Sequence, residues 1–172
     1  MGKSIVLVGP MGAGKTTIGK LLAQELDLPF KDIDHIIVER TGADIPWIFD
    51  VEGETGFRRR ESQVLAEVLD ADAAVIATGG GIVSLPDNRE MLKQADALVV
   101  FLNATVAQQF HRTSKDKNRP LLQKDNPRQV LERLMQEREP WYREVSDMVV
   151  DTGSNRARQL VNNIADCWKQ AS

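Results

Sequence analysis

The stretch Gly9-Pro10-Met11-Gly12-Ala13-Gly14-Lys15-Thr16 decides the fold. It fits the pattern G-x-x-x-x-G-K-[ST], and its surroundings are the ones that pattern requires. The apolar run Ile5-Val6-Leu7-Val8 precedes it and reads as a fully buried strand. Ile18, Leu21, Leu22 and Leu26 follow at helical spacing and predict a helix over residues 15–26. A glycine-rich turn between strand and helix lets backbone N–H groups curl around a polyphosphate, and the helix N-terminus adds partial positive charge. Lys15 is placed to reach the β- and γ-phosphates, and Thr16 to hold Mg²⁺. The bland alternative is a strand–helix turn with an incidental lysine, and the context disfavours it. The chain is read as binding a nucleoside triphosphate.

The rest of the chain continues the alternation. Short apolar runs at 30–33, 73–77, 97–102 and 148–150 read as further strands. Helical patterns cover 35–41, 44–51, 54–70, 87–94, 104–112, 127–137, 139–146 and 156–170. Continuous apolar strands alternating with helices predict an α/β protein with a parallel sheet covered on both faces. In such sheets ligands bind outside the carboxyl ends of the strands. The segment 113–126 is polar and aperiodic, and reads as a mobile loop.

The chain has 172 residues, a length that suits one domain. Lys and Arg total 22 against 25 Asp and Glu, a net charge of −3, which argues against a protein that coats nucleic acid. Cys167 is the only cysteine, so neither an intramolecular disulfide nor a multi-cysteine metal site is expected. No run approaches the ~20 apolar residues of a membrane span. The expectation is a cytoplasmic protein with no membrane partner, and a monomer because no unexplained apolar surface stripe appears.

The next question is what happens to the γ-phosphate. A GTPase would need an N-K-x-D motif after a strand, and none is present. Asp50-Val51-Glu52-Gly53 matches D-x-x-G by letters but lies in a helical pattern. A large motor or ABC-type ATPase needs more chain and an acid ending the third strand, which here ends Ala77-Thr78-Gly79. The metal-side acid must come from Asp32 or Asp34. Two residues apart on an extended segment, they would share one face, one serving Mg²⁺ through water and one meeting an acceptor hydroxyl. The alternative is a pair of turn or cap carboxylates. Arg58 and Glu61 lie three apart on a helix, so the glutamate can hold the arginine, while Arg59 and Arg60 read as a solvated face. Gly79-Gly80-Gly81 follows the third strand and suits a backbone that approaches a ligand closely.

Lys15, Asp32-x-Asp34, Phe57-Arg58-x-x-Glu61, Thr78-Gly79-Gly80-Gly81 and Arg119-Pro120-Leu121 stand in the order and spacing of the shikimate kinase family. The resemblance covers about residues 5–155. It implies a three-layer P-loop NTPase fold with a central five-stranded parallel sheet, a helical substrate-binding region and a mobile lid. It implies a single kinase domain over 1–172, with the phosphate loop at 9–16, the substrate region at about 32–61 and the lid at about 112–124. It also implies transfer of the ATP γ-phosphoryl group to the 3-hydroxyl of shikimate, a step of chorismate and aromatic amino acid biosynthesis. By that resemblance Asp34, Arg58, Gly79, Gly80, Gly81 and Arg138 bind shikimate. Gly12, Ala13, Gly14, Lys15, Thr16 and Thr17 wrap the phosphates, Arg119 reaches them from the lid, Arg112 stacks on adenine, and Asn155 lies in the adenine loop. Thr16 and, through water, Asp32 serve Mg²⁺. Lys15, Asp34 and Arg119 carry catalysis.

The chemistry agrees independently. A carboxylated ring wants planar arginine forks, which Arg58 and Arg138 supply. Phosphoryl transfer rests on positioning and charge stabilisation, the work expected of Lys15, Mg²⁺ and Arg119. An aspartate of ordinary pKa, about 3.9, is a feeble base for an alcohol, so Asp34 is expected to act more by orienting than by basicity. His35, His111, Trp141, Trp168 and Cys167 read as structural, and Trp47 and Phe49 as walls of the acceptor site or core. Two other readings stand beside this one: a P-loop kinase for another polyol such as gluconate, and a non-catalytic nucleotide-binding module.

Overall fold

A computed structural model describes residues 3–114, 119–122, 126–153 and 156–171. Five strands form its sheet: β1 (Ser4–Val8), β2 (Phe30–Asp32), β3 (Val75–Ala77), β4 (Ala97–Asn103) and β5 (Met148–Asp151). They stand in the order β2-β3-β1-β4-β5, and every pairing is parallel. β1 is central. Its register runs Ile5 to Val75 and Leu7 to Ala77 on one side, and Ile5 to Leu98 and Val8 to Phe101 on the other.

The two-residue period of β1 divides the core. Val6 and Val8 face a layer built with Val64, Leu65, Leu92 and Tyr142, from α3 (Ile45–Asp70), α4 (Pro86–Gln94) and α6 (Pro127–Val145). Ile5 and Leu7 face the opposite layer, with Ile18 and Leu22 of α1 (Lys15–Leu26) and Leu160, Val161 and Ile164 of α7 (Ala157–Ala171). All four β1 residues are fully buried, which is why the strand shows no polar alternation. A third cluster, Met11 with Leu122, Val130, Leu131 and Leu134, ties the phosphate loop to α6. The remaining helices are α2 (Ile33–Thr41) and α5 (Val106–Thr113).

The boundary expected between the helices at 44–51 and 54–70 is present: α3 is interrupted at Gly53, whose φ of 73° and ψ of 175° are non-helical. The structure corrects two other details of the sequence reading. The break expected between 137 and 139 does not occur: α6 runs through Pro140, its two sides anchored by the buried Arg138 and Tyr142. The segment around Asp32 and Asp34 is not extended throughout. β2 ends at Asp32, which is the N-cap of α2, and Asp34 sits in the first helical turn. The capping alternative therefore holds for Asp32, alongside its place in the site.

Candidate active site

The phosphate loop leaves β1 and ends at the first residue of α1. Gly12 and Gly14 have φ of 77° and 94°, a region that side chains rarely enter, and Gly14 is the N-cap of α1. With the cap contributing no side chain, the first N–H groups of α1 face the cleft. Lys15 folds back into the loop, its Nζ donating to the carbonyls of Gly9 (2.5 Å) and Pro10 (2.9 Å). Burial, then the neighbouring Arg119, bring its pKa down to about 7. An anion arriving at the loop would restore the charge.

Thr16 donates from Oγ1 to Asp32 Oδ2 at 3.1 Å. The other oxygen, Oδ1, accepts from the backbone N–H groups of Asp34 (3.0 Å) and His35 (3.3 Å). One carboxylate thus caps α2 and reaches the phosphate loop. Arg112, on α5, donates through Nη1 to the Gly12 carbonyl (2.7 Å) and to Thr152 Oγ1 (3.3 Å), tying the loop to the segment after β5. Gly12 to Thr17, Asp32, Asp34, Arg112 and Arg119 line one cleft of about 1390 Å³. Asn155 and residues 115–118 and 123–125 of the expected lid lie outside the described residues.

A smaller cleft of about 410 Å³ adjoins it, lined by Asp34, Arg58, Glu61, Gly79, Gly80, Gly81, Arg119 and Arg138 with Met11, Ile45, Phe49 and Phe57. Asp34, Gly79 and Arg119 border both clefts. Residues separated by more than a hundred positions in sequence are brought together because each leaves the carboxyl end of a strand or a helix packed over it.

Arg58 is held from two sides. Its Nη1 donates to Glu61 Oε1 at 2.6 Å, and Nε and Nη2 donate to Glu54 Oε2 at 3.3 and 3.2 Å. A guanidinium has five N–H groups, so Nη1 and Nη2 keep one each for a ligand. The Arg58–Glu61 pairing follows the helical spacing. Glu54 was not singled out, although it stands four residues before Arg58 on the same helix and the spacing could have shown it.

Two of the three glycines also have a cause within the protein. None of the three has a positive φ. A Cβ on Gly81 would collide with the Arg58 guanidinium, and one on Gly79 would come within 2.7 Å of Glu61 Oε2 and 3.1 Å of Asp34 Oδ1. Gly79 and Gly81 make room for the charged side chains of the site. Glu61 Oε2 and Asp34 Oδ1 are shut off from solvent and have no hydrogen-bond partner among the described residues. Burial is the main cause that lifts both carboxyls: Asp34 rises above its ordinary value, and Glu61 reaches about 7 with Arg58 opposing. Burial thus raises the proton affinity of Asp34 above that of an ordinary aspartate, a property the sequence did not show.

The other aromatic and histidine residues stay outside the clefts' chemistry, with two exceptions. His35 lines the larger cleft with its side chain 71% exposed, and Phe49, packed on Phe57 at 5.0 Å, walls the smaller one. Trp47 is 61% exposed and is not core. Tyr142, fully buried, donates from its hydroxyl to the Gly80 carbonyl at 2.6 Å. No spacing rule links positions 62 residues apart, so this contact had no signal in the sequence.

Comparison with known proteins follows the same lines. Residues 11–169 match the sequence profile of the shikimate kinase family. The chain is similar to a shikimate kinase of Pseudomonas aeruginosa (strain LESB58), 56% identical over 163 residues, or 95% of this chain and 94% of the relative. It is also similar to the structure of shikimate kinase from Acinetobacter baumannii in complex with shikimate. There the identity is 50%, the TM-score 0.93, and the coverage 98% of this chain and 93% of the other. A gluconokinase from Sinorhizobium meliloti 1021 is 14% identical with a TM-score of 0.58 over 98% of this chain and 92% of its own, a likeness of fold alone.

Proposed function

The chain belongs to the shikimate kinase family and phosphorylates shikimate with ATP in aromatic biosynthesis, and we propose a role for each part of its two joined clefts. The larger cleft takes ATP, with its phosphates on residues 12–17 and its adenine toward Arg112 and the loop after β5, where the sequence also places Asn155. The smaller cleft takes shikimate, with its carboxylate on Arg58 and Arg138 and its ring against Gly79, Gly80 and Gly81. The observation that carries this reading is that Asp34, Gly79 and Arg119 border both clefts, so the acceptor hydroxyl and the γ-phosphate meet there.

Asp34 Oδ1, shut off from solvent and unpartnered, is an acceptor in want of a donor, and the 3-hydroxyl of shikimate supplies it. The hydroxyl oxygen forms a bond to the γ-phosphorus as the bridging oxygen–phosphorus bond to the β-phosphate breaks. The hydroxyl proton passes to Asp34, whose raised affinity for it comes chiefly from burial. Lys15 leaves the Gly9 and Pro10 carbonyls for the phosphates, and with Arg119 offsets the charge on the transferring group.

Thr16 and Asp32, hard oxygen donors 3.1 Å apart beside the phosphate loop, fit Mg²⁺ that keeps most of its waters. Mg²⁺ held by Thr16 and, through water, by Asp32 would supply neutralisation of phosphate charge. The enzyme is proposed to act as a monomer, which light scattering would check. No helix of the described residues is long and apolar enough to cross a membrane. A cytoplasmic location is part of the proposal, and cell fractionation would check it.

The test is Asp34→Asn, assayed with ATP and shikimate. It should lower kcat by about 10²- to 10⁴-fold, the usual loss when a general base is removed, with little change in KM for ATP. Near-normal kcat would overturn the assignment of Asp34.

A further inference from the structure

Tyr142 lies on α6 one helical turn after Arg138, with both side chains buried on the same face. Its ring stacks on Phe101 of β4, with centroids 5.1 Å apart and planes at 30°. Its hydroxyl donates to the Gly80 carbonyl at 2.6 Å, which commits its single proton. Arg138 packs on the same glycine, its Nη1 3.5 Å from the position a Cβ on Gly80 would take, and its charge acts on the hydroxyl. With its proton committed, the phenol oxygen can meet a guanidinium only as an acceptor. The tyrosine hydroxyl and Arg138 thus converge on the backbone after β3, and Gly80 and Arg138 both line the acceptor cleft.

We propose that Tyr142 is a positioning residue for the reaction: its hydroxyl fixes the Arg138 guanidinium and the Gly80 backbone relative to each other, and so sets the acceptor carboxylate in line. This rests on the reading that Arg138 binds that carboxylate. The ring alone satisfies the packing against Phe101, so the hydroxyl is surplus to the core. It is instead oriented by two groups of the site. Burial pushes its pKa up to about 12, so it stays a neutral donor at any working pH.

Tyr142→Phe keeps the ring and removes the link. KM for shikimate should rise about tenfold, the loss typical of a hydrogen bond to a charged group, while KM for ATP stays the same. The effect should vanish in an Arg138→Met background, because there the hydroxyl has no guanidinium to place. A rise in KM for shikimate with Arg138→Met but none with Tyr142→Phe overturns this inference and leaves the site reading intact. No rise with Arg138→Met overturns the site reading itself. Equal rises in both KM values, or additive effects in the double variant, show a purely structural tyrosine and also overturn it.

A second measurement does not depend on any variant folding. Tyr142 is the only tyrosine in the chain, so growth on 3-fluorotyrosine labels that position alone. Shikimate should shift the single fluorine resonance of the intact protein in the absence of nucleotide. A resonance that does not move on saturation with shikimate overturns the proposal.

Discussion

Arg119 and Lys15 show how one side chain changes meaning with its neighbours. Arg119 borders both clefts, and its charge is the second cause of the lowered pKa of Lys15. Two cations held this close repel each other until an anion joins them, so both are poised for a phosphate and neither for a solvated surface. Arg119 should therefore matter most when charge builds on the transferring group. Arg119→Ala is expected to lower kcat by about 10³-fold while KM for shikimate changes little. Steady-state kinetics with shikimate varied at saturating ATP would check it, and an equal loss in both constants would count against the assignment. The P-loop residues were legible because their spacing is local. The state of Asp34 was not, since its raised pKa comes first from burial.

Helix α3 carries the acceptor side of the site, and its shape depends on one residue. Gly53 interrupts it at φ 73° and ψ 175°, and a Cβ there would meet nothing within 4 Å. The glycine is needed for its backbone angle and for no contact. Across the break, Arg60 clasps Glu52 with two bonds of 2.6 and 2.9 Å, while Ile45 and Phe49 from the first half wall the smaller cleft. Gly53→Ala should destabilise the protein by about 1–3 kcal/mol through strain in a positive-φ, extended region that is essentially open to glycine alone, despite the helix preference of alanine. Urea denaturation would show it as a lower midpoint at unchanged slope, and a gain in stability would mean that the break can straighten. The sequence reading placed a helix boundary here from the change in pattern. It placed another near Pro140 that does not exist, because buried anchors on the same helix outweigh the local preference of proline.

Across the whole molecule, the cost of keeping the site appears as a dependence of stability on pH. Glu61 is fully buried with one oxygen unpaired, and its pKa of about 7 compares with 4.5 for a free glutamate. The folded state holds this proton to higher pH than the unfolded chain does. The term therefore favours the fold below pH 4.5 and is lost as pH rises to about 7. Relative to Glu61→Gln, which cannot titrate, the natural protein should lose up to about 3 kcal/mol of stability over that interval. Denaturation curves of both proteins across the interval check it, and parallel pH profiles would refute it.

The order of strands and helices, the nucleotide loop, the Arg58–Glu61 pair and the family itself were all readable from residues, because each depends on neighbours within about a helical turn or on a motif kept in order. The mildly acidic net charge of −3 likewise excluded a polyanion but left room for a basic cleft. Three things needed the packed chain. Asp32 serves as cap and site residue at once because β2 ends at the place where α2 begins. Gly79 and Gly81 are required by the Arg58, Glu61 and Asp34 side chains that press on them from α2 and α3. Tyr142 reaches Gly80 across 62 residues through the buried layer beside β4. The common reason is burial: removing water makes each distant polar contact directional and each charge dependent on its neighbours, and no local pattern records which distant groups will share that space.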